Sequence, residues 1–89
     1  MQSMSEMSVL ERLRFLTMKA EQALERTANI MDYRQFMITP EGMDLFDATT
    51  LRLQVVGEML KQVDDLTDKK ILIPNYPEIP WRSIFGLRN

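Results

Sequence analysis

The run from Thr39 to Leu66, TPEGMDLFDATTLRLQVVGEMLKQVDDL, decides the fold class. Thr39 suits a helix N-cap, because its hydroxyl can accept a free backbone N–H. Pro40 suits the first turn, where its missing N–H has no partner in any case. Glu41 places a carboxylate at the positive end of the helix dipole. Behind this start, Leu45, Ala48, Leu53, Val56, Leu60 and Val63 form one apolar stripe, with Leu51, Val55 and Met59 beside it. The pattern predicts one long helix over 40–66. Its apolar arc is wider than a single helix–helix contact needs. Such a helix sits in the middle of a bundle or also meets a second subunit.

Working outward, Ser8 and Glu11 stand three apart, the spacing of a capping box. Leu10, Leu13, Leu16, Ala20, Ala23 or Leu24, Thr27 and Ile30 or Met31 then recur at helical spacing, which predicts a helix over 8–31. Glu11, Arg14, Glu21 and Glu25 mark its solvated face. Asp32 to Phe36 reads as a turn or short helix between the two. Residues 67–79 read as a linker, since Pro74 and Pro77 interrupt any continuous helix. Pro80 reads as the first residue of a third helix carrying Trp81, Ile84, Phe85 and Leu87. Ile71-Leu72-Ile73 is the one β-like run, too short to build a sheet. The expectation is an all-α, single-domain chain over 1–89, with antiparallel long helices and a flexible 1–7.

Composition bounds the rest. At 89 residues a lone core is marginal, so a dimer interface is expected to supply part of the stability. Hydrophobic residues make up 45% and charged residues 27%, a globular profile. Thirteen acids against eleven bases give a net charge of −2, so no global basic field draws the chain to nucleic acid. A local basic bias exists after Lys69, where Lys69, Lys70, Arg82 and Arg88 face Glu78 alone. The absence of cysteine excludes disulfides and thiolate metal sites, and no metal or cofactor is expected. The absence of histidine removes the commonest general base at neutral pH. No apolar run is long enough to span a membrane, and Met1 to Ser8 lacks a signal-peptide core, which makes the cytoplasm the default location.

Few residues advertise chemistry. Three widely spaced glycines, Gly42, Gly57 and Gly86, build no phosphate loop. Asp64-Asp65 and the Asp44/Asp47 pair read as helix-end and solubility features. The eight methionines read as flexible filling of a core or interface. Trp81 reads as a core anchor. Gly57 inside a helix costs roughly 1 kcal/mol relative to Ala and points to a close helix crossing. Glu58 beside it is expected to need an Arg or Lys partner.

The C-terminal run Tyr76-Pro77-Glu78-Ile79-Pro80-Trp81-Arg82-Ser83-Ile84-Phe85-Gly86-Leu87-Arg88-Asn89 closely resembles the signature of the HepT-like branch of the HEPN proteins. Asp47-Ala48, Leu53 and Val56-Gly57-Glu58 resemble that family's second-helix motif. The resemblance covers roughly Leu10 to Asn89. It implies an antiparallel HEPN-type bundle, truncated here at the last helix, and a homodimer. It also implies the toxin of a toxin–antitoxin pair, a metal-independent endoribonuclease whose antitoxin is a small nucleotidyltransferase. Arg88 and Asn89 match the first residues of the family's catalytic motif, with Gly57, Glu58, Pro80, Trp81 and Gly86 as its structural frame. In that chemistry a histidine deprotonates the ribose 2′-OH and the arginine stabilises charge on the phosphate.

The chain departs from the pattern where the histidine and the following tyrosine should stand, since it holds no histidine. Two alternatives stay open beside the ribonuclease. One is a non-catalytic binding partner of a nucleotidyltransferase. The other is an inactive, truncated remnant.

Overall fold

A computed structural model describes residues 6–87. The flexible segment expected over 1–7 falls mostly outside them. The described chain is all-α: α1 (Val9–Arg26), α2 (Gln35–Ile38), α3 (Pro40–Leu66), α4 (Leu72–Asn75) and α5 (Trp81–Gly86). α1 and α3 pack as an antiparallel hairpin, α2 rests on the start of α3, and α5 on its end.

The starts of the two long helices follow from their capping chemistry. Ser8 Oγ accepts from Glu11 N at 3.1 Å, and Glu11 Oε1 accepts from Ser8 N at 3.1 Å, so the capping box forms in full. Thr39 Oγ1 accepts from Gly42 N at 3.0 Å, with Pro40 opening α3. α3 has the predicted limits.

α1 stops at Arg26, short of the predicted residue 31. Two contacts explain the early end. The Thr27 hydroxyl donates to Ala23 O at 2.6 Å, competing for the last turn's carbonyl. Gln35 Oε1 then accepts the backbone N–H groups of Met31 and Asp32, at 2.6 and 2.9 Å, so these donors turn away from the helix. Asp32 Oδ1 accepts from Arg34 N at 2.9 Å, closing the turn that leads into α2. Gly42 sits so close under α2 that a Cβ there would fall on the carbonyl oxygen of Gln35.

The expected linker over 67–79 contains a one-turn helix. Pro74 is the third residue of α4, inside the first turn, where no N–H is required of it. α3 itself ends through Asp68 and Lys69, at φ 53° and 61°, while Lys69 N donates to Asp64 O at 2.8 Å. This left-handed pair reverses the chain without a glycine.

The core is small. Met59 and Val63 are 0% and 1% exposed, and Leu16, Ala23, Leu72 and Trp81 complete the buried apolar set. Met59, read from the pattern as flanking the stripe, is its deepest member, whereas Leu53 of the stripe is exposed. The solvated face of α1 holds Arg14, Glu21 and Glu25 as expected, but Leu10 and Leu24 are also exposed. The Cα radius of gyration is 14.8 Å. A compact domain of this length has about 12 Å. The hairpin is therefore extended and leaves large side chains such as Leu51, Phe46, Met37 and Ile38 open to solvent.

Candidate functional site

Of the residues singled out from the sequence, Pro80, Trp81 and Gly86 lie at the end of the hairpin where α3 meets α5. A buried cluster of Val63, Leu72 and Trp81 holds this end together, with Val9, Leu13, Leu60, Ile79 and Phe85 packed around it. Trp81 is the hub. Its indole N–H donates to Tyr76 O at 2.8 Å, which satisfies the polar edge of a buried ring. Phe85, one turn later, lies 5.8 Å from it in a tilted arrangement.

The turns before α5 are set by the backbone. Ile79 N donates to Tyr76 O at 3.2 Å, and Trp81 N donates to Ile79 O at 2.8 Å. Pro80 is the N-cap of α5 at φ −77°, not its first helical residue, and Ile84 N closes the first turn on Pro80 O at 3.1 Å. Gly86 is exposed, and a Cβ on it would meet nothing within 4 Å among the described residues. Steric need does not explain this glycine. Arg88 and Asn89 lie outside the described residues.

On α3, Gly57 is buried and Glu58 is exposed. Among the described residues, no Lys or Arg forms an ion pair with Glu58, although one was expected. Glu58 accepts from Gln62 Nε2 at 3.0 Å, and Gln62 Oε1 accepts from Arg12 Nε at 2.6 Å. The base on the neighbouring helix reaches Glu58 through an amide, because solvent already screens the carboxylate. Arg12 itself is 5% exposed. It is one member of a buried α1 stripe, Arg12, Leu16 and Ala23, at spacings of four and seven. That spacing was the available signal, and its charge hid it among the surface residues.

Pattern reading passed over Lys61 and took Asp64 for a helix-end and solubility feature. Lys61 Nζ lies 3.0 Å from Asp65 Oδ1, 3.9 Å from Asp64 Oδ2 and 5.3 Å from the centre of the Phe85 ring. Asp64 is 1% exposed, and its Oδ1 has no hydrogen-bond partner among the described residues. Arg82, Lys69 and Lys70 stand exposed around the same end of the molecule.

The sequence model of the ribonuclease HepT-like family matches residues 11–89. The chain belongs to the HepT-like family. No curated protein and no solved structure matches it. The match takes in both helices that meet here, α3 with Leu60 and Val63 and α5 with Trp81 and Phe85. It accounts for the all-α architecture as a HEPN-type helical bundle. It also makes the α3–α5 end, which leads directly into Arg88, the candidate site of this HepT-like protein.

The described residues hold no group of three or more acids that could bind a metal ion, and no helix long and apolar enough to cross a membrane. Two open apolar hollows flank α2 at the opposite end of the hairpin. One, of about 360 Å³, is lined by Ile30, Ile38, Gly42 and Leu45 among others; the second, of about 320 Å³, by Tyr33, Phe36, Met37 and Phe46. Neither gathers groups suited to catalysis.

Proposed function

We propose that this HepT-like chain is the RNA-binding body of a toxin-type, metal-independent endoribonuclease. It acts as a single-domain homodimer in the cytoplasm, and its antitoxin is a small nucleotidyltransferase. The observation that carries the reading is the family match over residues 11–89, which includes the run ending Gly86-Leu87-Arg88-Asn89. Arg88 is the phosphate anchor in this reading, since a planar, always-charged guanidinium can hold a phosphodiester through two parallel hydrogen bonds. Asn89 beside it is a polar neighbour for the same backbone.

The dimer has support in the exposed apolar surface. Leu51 is 63% exposed in the middle of α3, and Val55 is half-buried one turn on. A protein of this size gains from covering such a face. Sedimentation of the purified chain at micromolar concentration is expected to give a dimer; a stable monomer would remove this part.

One observation favours a second reading for these 89 residues taken alone. They contain no histidine, so they supply the phosphate-holding group and not the base of the reaction. The 89-residue chain is therefore expected to bind RNA without cutting it, in buffer containing a chelator. A product of the same reading frame with a His about five residues after Arg88 is expected to cut RNA in that buffer, and Arg88→Ala to abolish the cut. Cleavage that requires an added divalent metal would overturn the metal-independent mechanism.

A further inference from the structure

We propose that the α2 end of the hairpin is a docking surface for a cationic amphipathic segment of a partner protein. An apolar side chain of that segment fills the hollow beside α2, and its Lys or Arg side chains meet the carboxylates of α3. The proposal goes beyond the ribonuclease reading and does not depend on it.

The surface is built by the turn that ends α1. Gln35 holds the backbone of Met31 and Asp32, and Gly42, without a Cβ, lets α2 sit directly on α3. Phe36 turns inward and meets Phe46 edge-on, with ring centres 5.6 Å apart. A helix of one turn buries one face only, so Met37 and Ile38 stay 64% and 73% exposed. Tyr33, just before it, is 72% exposed. Tyr33, Phe36, Met37 and Phe46 line the hollow of about 320 Å³, within the size range of preformed binding sites. Single exposed apolar side chains are ordinary on a protein surface; a concave group of three aromatic rings and a thioether is not. Methionine adds adaptability, since its unbranched chain repacks around different partners.

Charge selects the occupant. Between Leu24 and Leu51 stand five acids, Glu25, Asp32, Glu41, Asp44 and Asp47, against Arg26 and Arg34, a net charge of −3 in a chain whose total is −2. Asp32 is paired with Arg34. Glu41, Asp44 and Asp47 are exposed and form no ion pair among the described residues. Glu41 lines the other hollow beside α2, and Asp47 follows Phe46 in α3. Such a rim repels RNA phosphates and an anionic lipid surface. It disfavours a second copy too, because a two-fold contact sets the same patch against itself and so faces acid with acid. Leu51, on the dimer face proposed above, lies five positions after Phe46, about 140° round α3, and stays free for that contact. A segment with an apolar stripe and a basic face satisfies both the hollow and the rim. Its Lys or Arg can also lie over the exposed Tyr33 or Phe46 ring.

The test uses two labelled synthetic helical peptides with the same leucine stripe, one carrying lysine and the other glutamate on its polar face. Each is titrated with the 89-residue chain and followed by fluorescence anisotropy. The lysine peptide is expected to bind, and the glutamate peptide is not. Two variants localise the contact. Tyr33→Ser with Met37→Ser removes two exposed walls of the hollow and leaves the Phe36–Phe46 contact in place. Glu41→Gln with Asp44→Asn and Asp47→Asn removes the rim charge. Each variant is expected to weaken lysine-peptide binding at least about tenfold, with helix content, assembly state and RNA affinity unchanged. The rim variant alters exposed side chains only, so it decides alone should the hollow variant lose helix content. Equal binding of the two peptides, no binding of the lysine peptide, or lysine-peptide binding that either variant leaves unchanged would overturn the proposal. Loss of the dimer in the hollow variant would assign the hollow to a second copy, and loss of single-stranded RNA binding would assign it to RNA; either result overturns the proposal as well. The reading of Arg88 stands or falls on its own variant.

Discussion

Arg12 and Gln62, fifty positions apart in the chain, meet across the α1–α3 hairpin through a 2.6 Å hydrogen bond from Nε to Oε1. Gln62 passes the contact on by donating from Nε2 to Glu58 at 3.0 Å. The arginine is buried, so its donors depend on partners supplied by the protein. Gln62→Leu keeps similar bulk and removes the acceptor. It is expected to lower stability by about 1–3 kcal/mol, the cost of depriving a buried charged donor of a partner. Urea unfolding of the two proteins checks this, and equal midpoints and slopes would show that water replaces the amide at no cost.

Gly42 gives a prediction whose sign is diagnostic. Replacing a glycine inside a helix by alanine ordinarily gains about 1 kcal/mol. Here the new Cβ would fall on the Gln35 carbonyl oxygen, which is backbone and cannot rotate away. Gly42→Ala is expected to destabilise by about 1–3 kcal/mol as α2 is pushed off α3. A thermal melt that rises instead would mean that α2 does not pack on the start of α3 as described.

Much of this fold was legible in the sequence, for reasons that can be named. Ser8, Glu11, Thr39 and Pro40 are local signals: caps act on backbone groups within a turn, and all four work as their positions suggest. The three-four stripe of α3 likewise predicted its length. The end of α1 was not legible, because Gln35, several residues downstream, takes the N–H groups that would have continued the helix. Arg12 and Asp64 were missed because charge normally marks the surface, and only the packed hairpin shows that these two are buried. At the candidate site, Trp81 was readable as an anchor. The convergence of Lys61, Asp65 and Phe85 was not, since it joins two helices across an irregular segment.

Asp32 gives a pH dependence. The Arg34 guanidinium, and then the Arg34 backbone N–H, hold its carboxyl below the usual aspartate range. A carboxyl depressed in the folded state stabilises above its unfolded value, about 3.9, and that contribution is lost as pH falls through the lower folded value. The pair is open to solvent, so the effect is small and falls further with added salt. Asp32→Asn, which can still accept from the Arg34 backbone, is expected to melt close to wild type at neutral pH and to show a flatter loss of stability in acid. Melting curves at stepped pH test this; parallel curves for the two proteins throughout the acid range would deny the ion pair any role in the turn.

The central claim is that this HepT-like chain holds an RNA phosphate through Arg88, and the most direct measurement is RNA binding by Arg88→Ala beside the unmodified chain. A fluorescent single-stranded RNA is titrated with each protein, and sedimentation confirms that the two have the same assembly state. The account predicts that Arg88→Ala weakens binding at least about tenfold, in keeping with loss of a bidentate charge-assisted contact, while helix content and assembly stay unchanged. Equal affinities for the two proteins would contradict it.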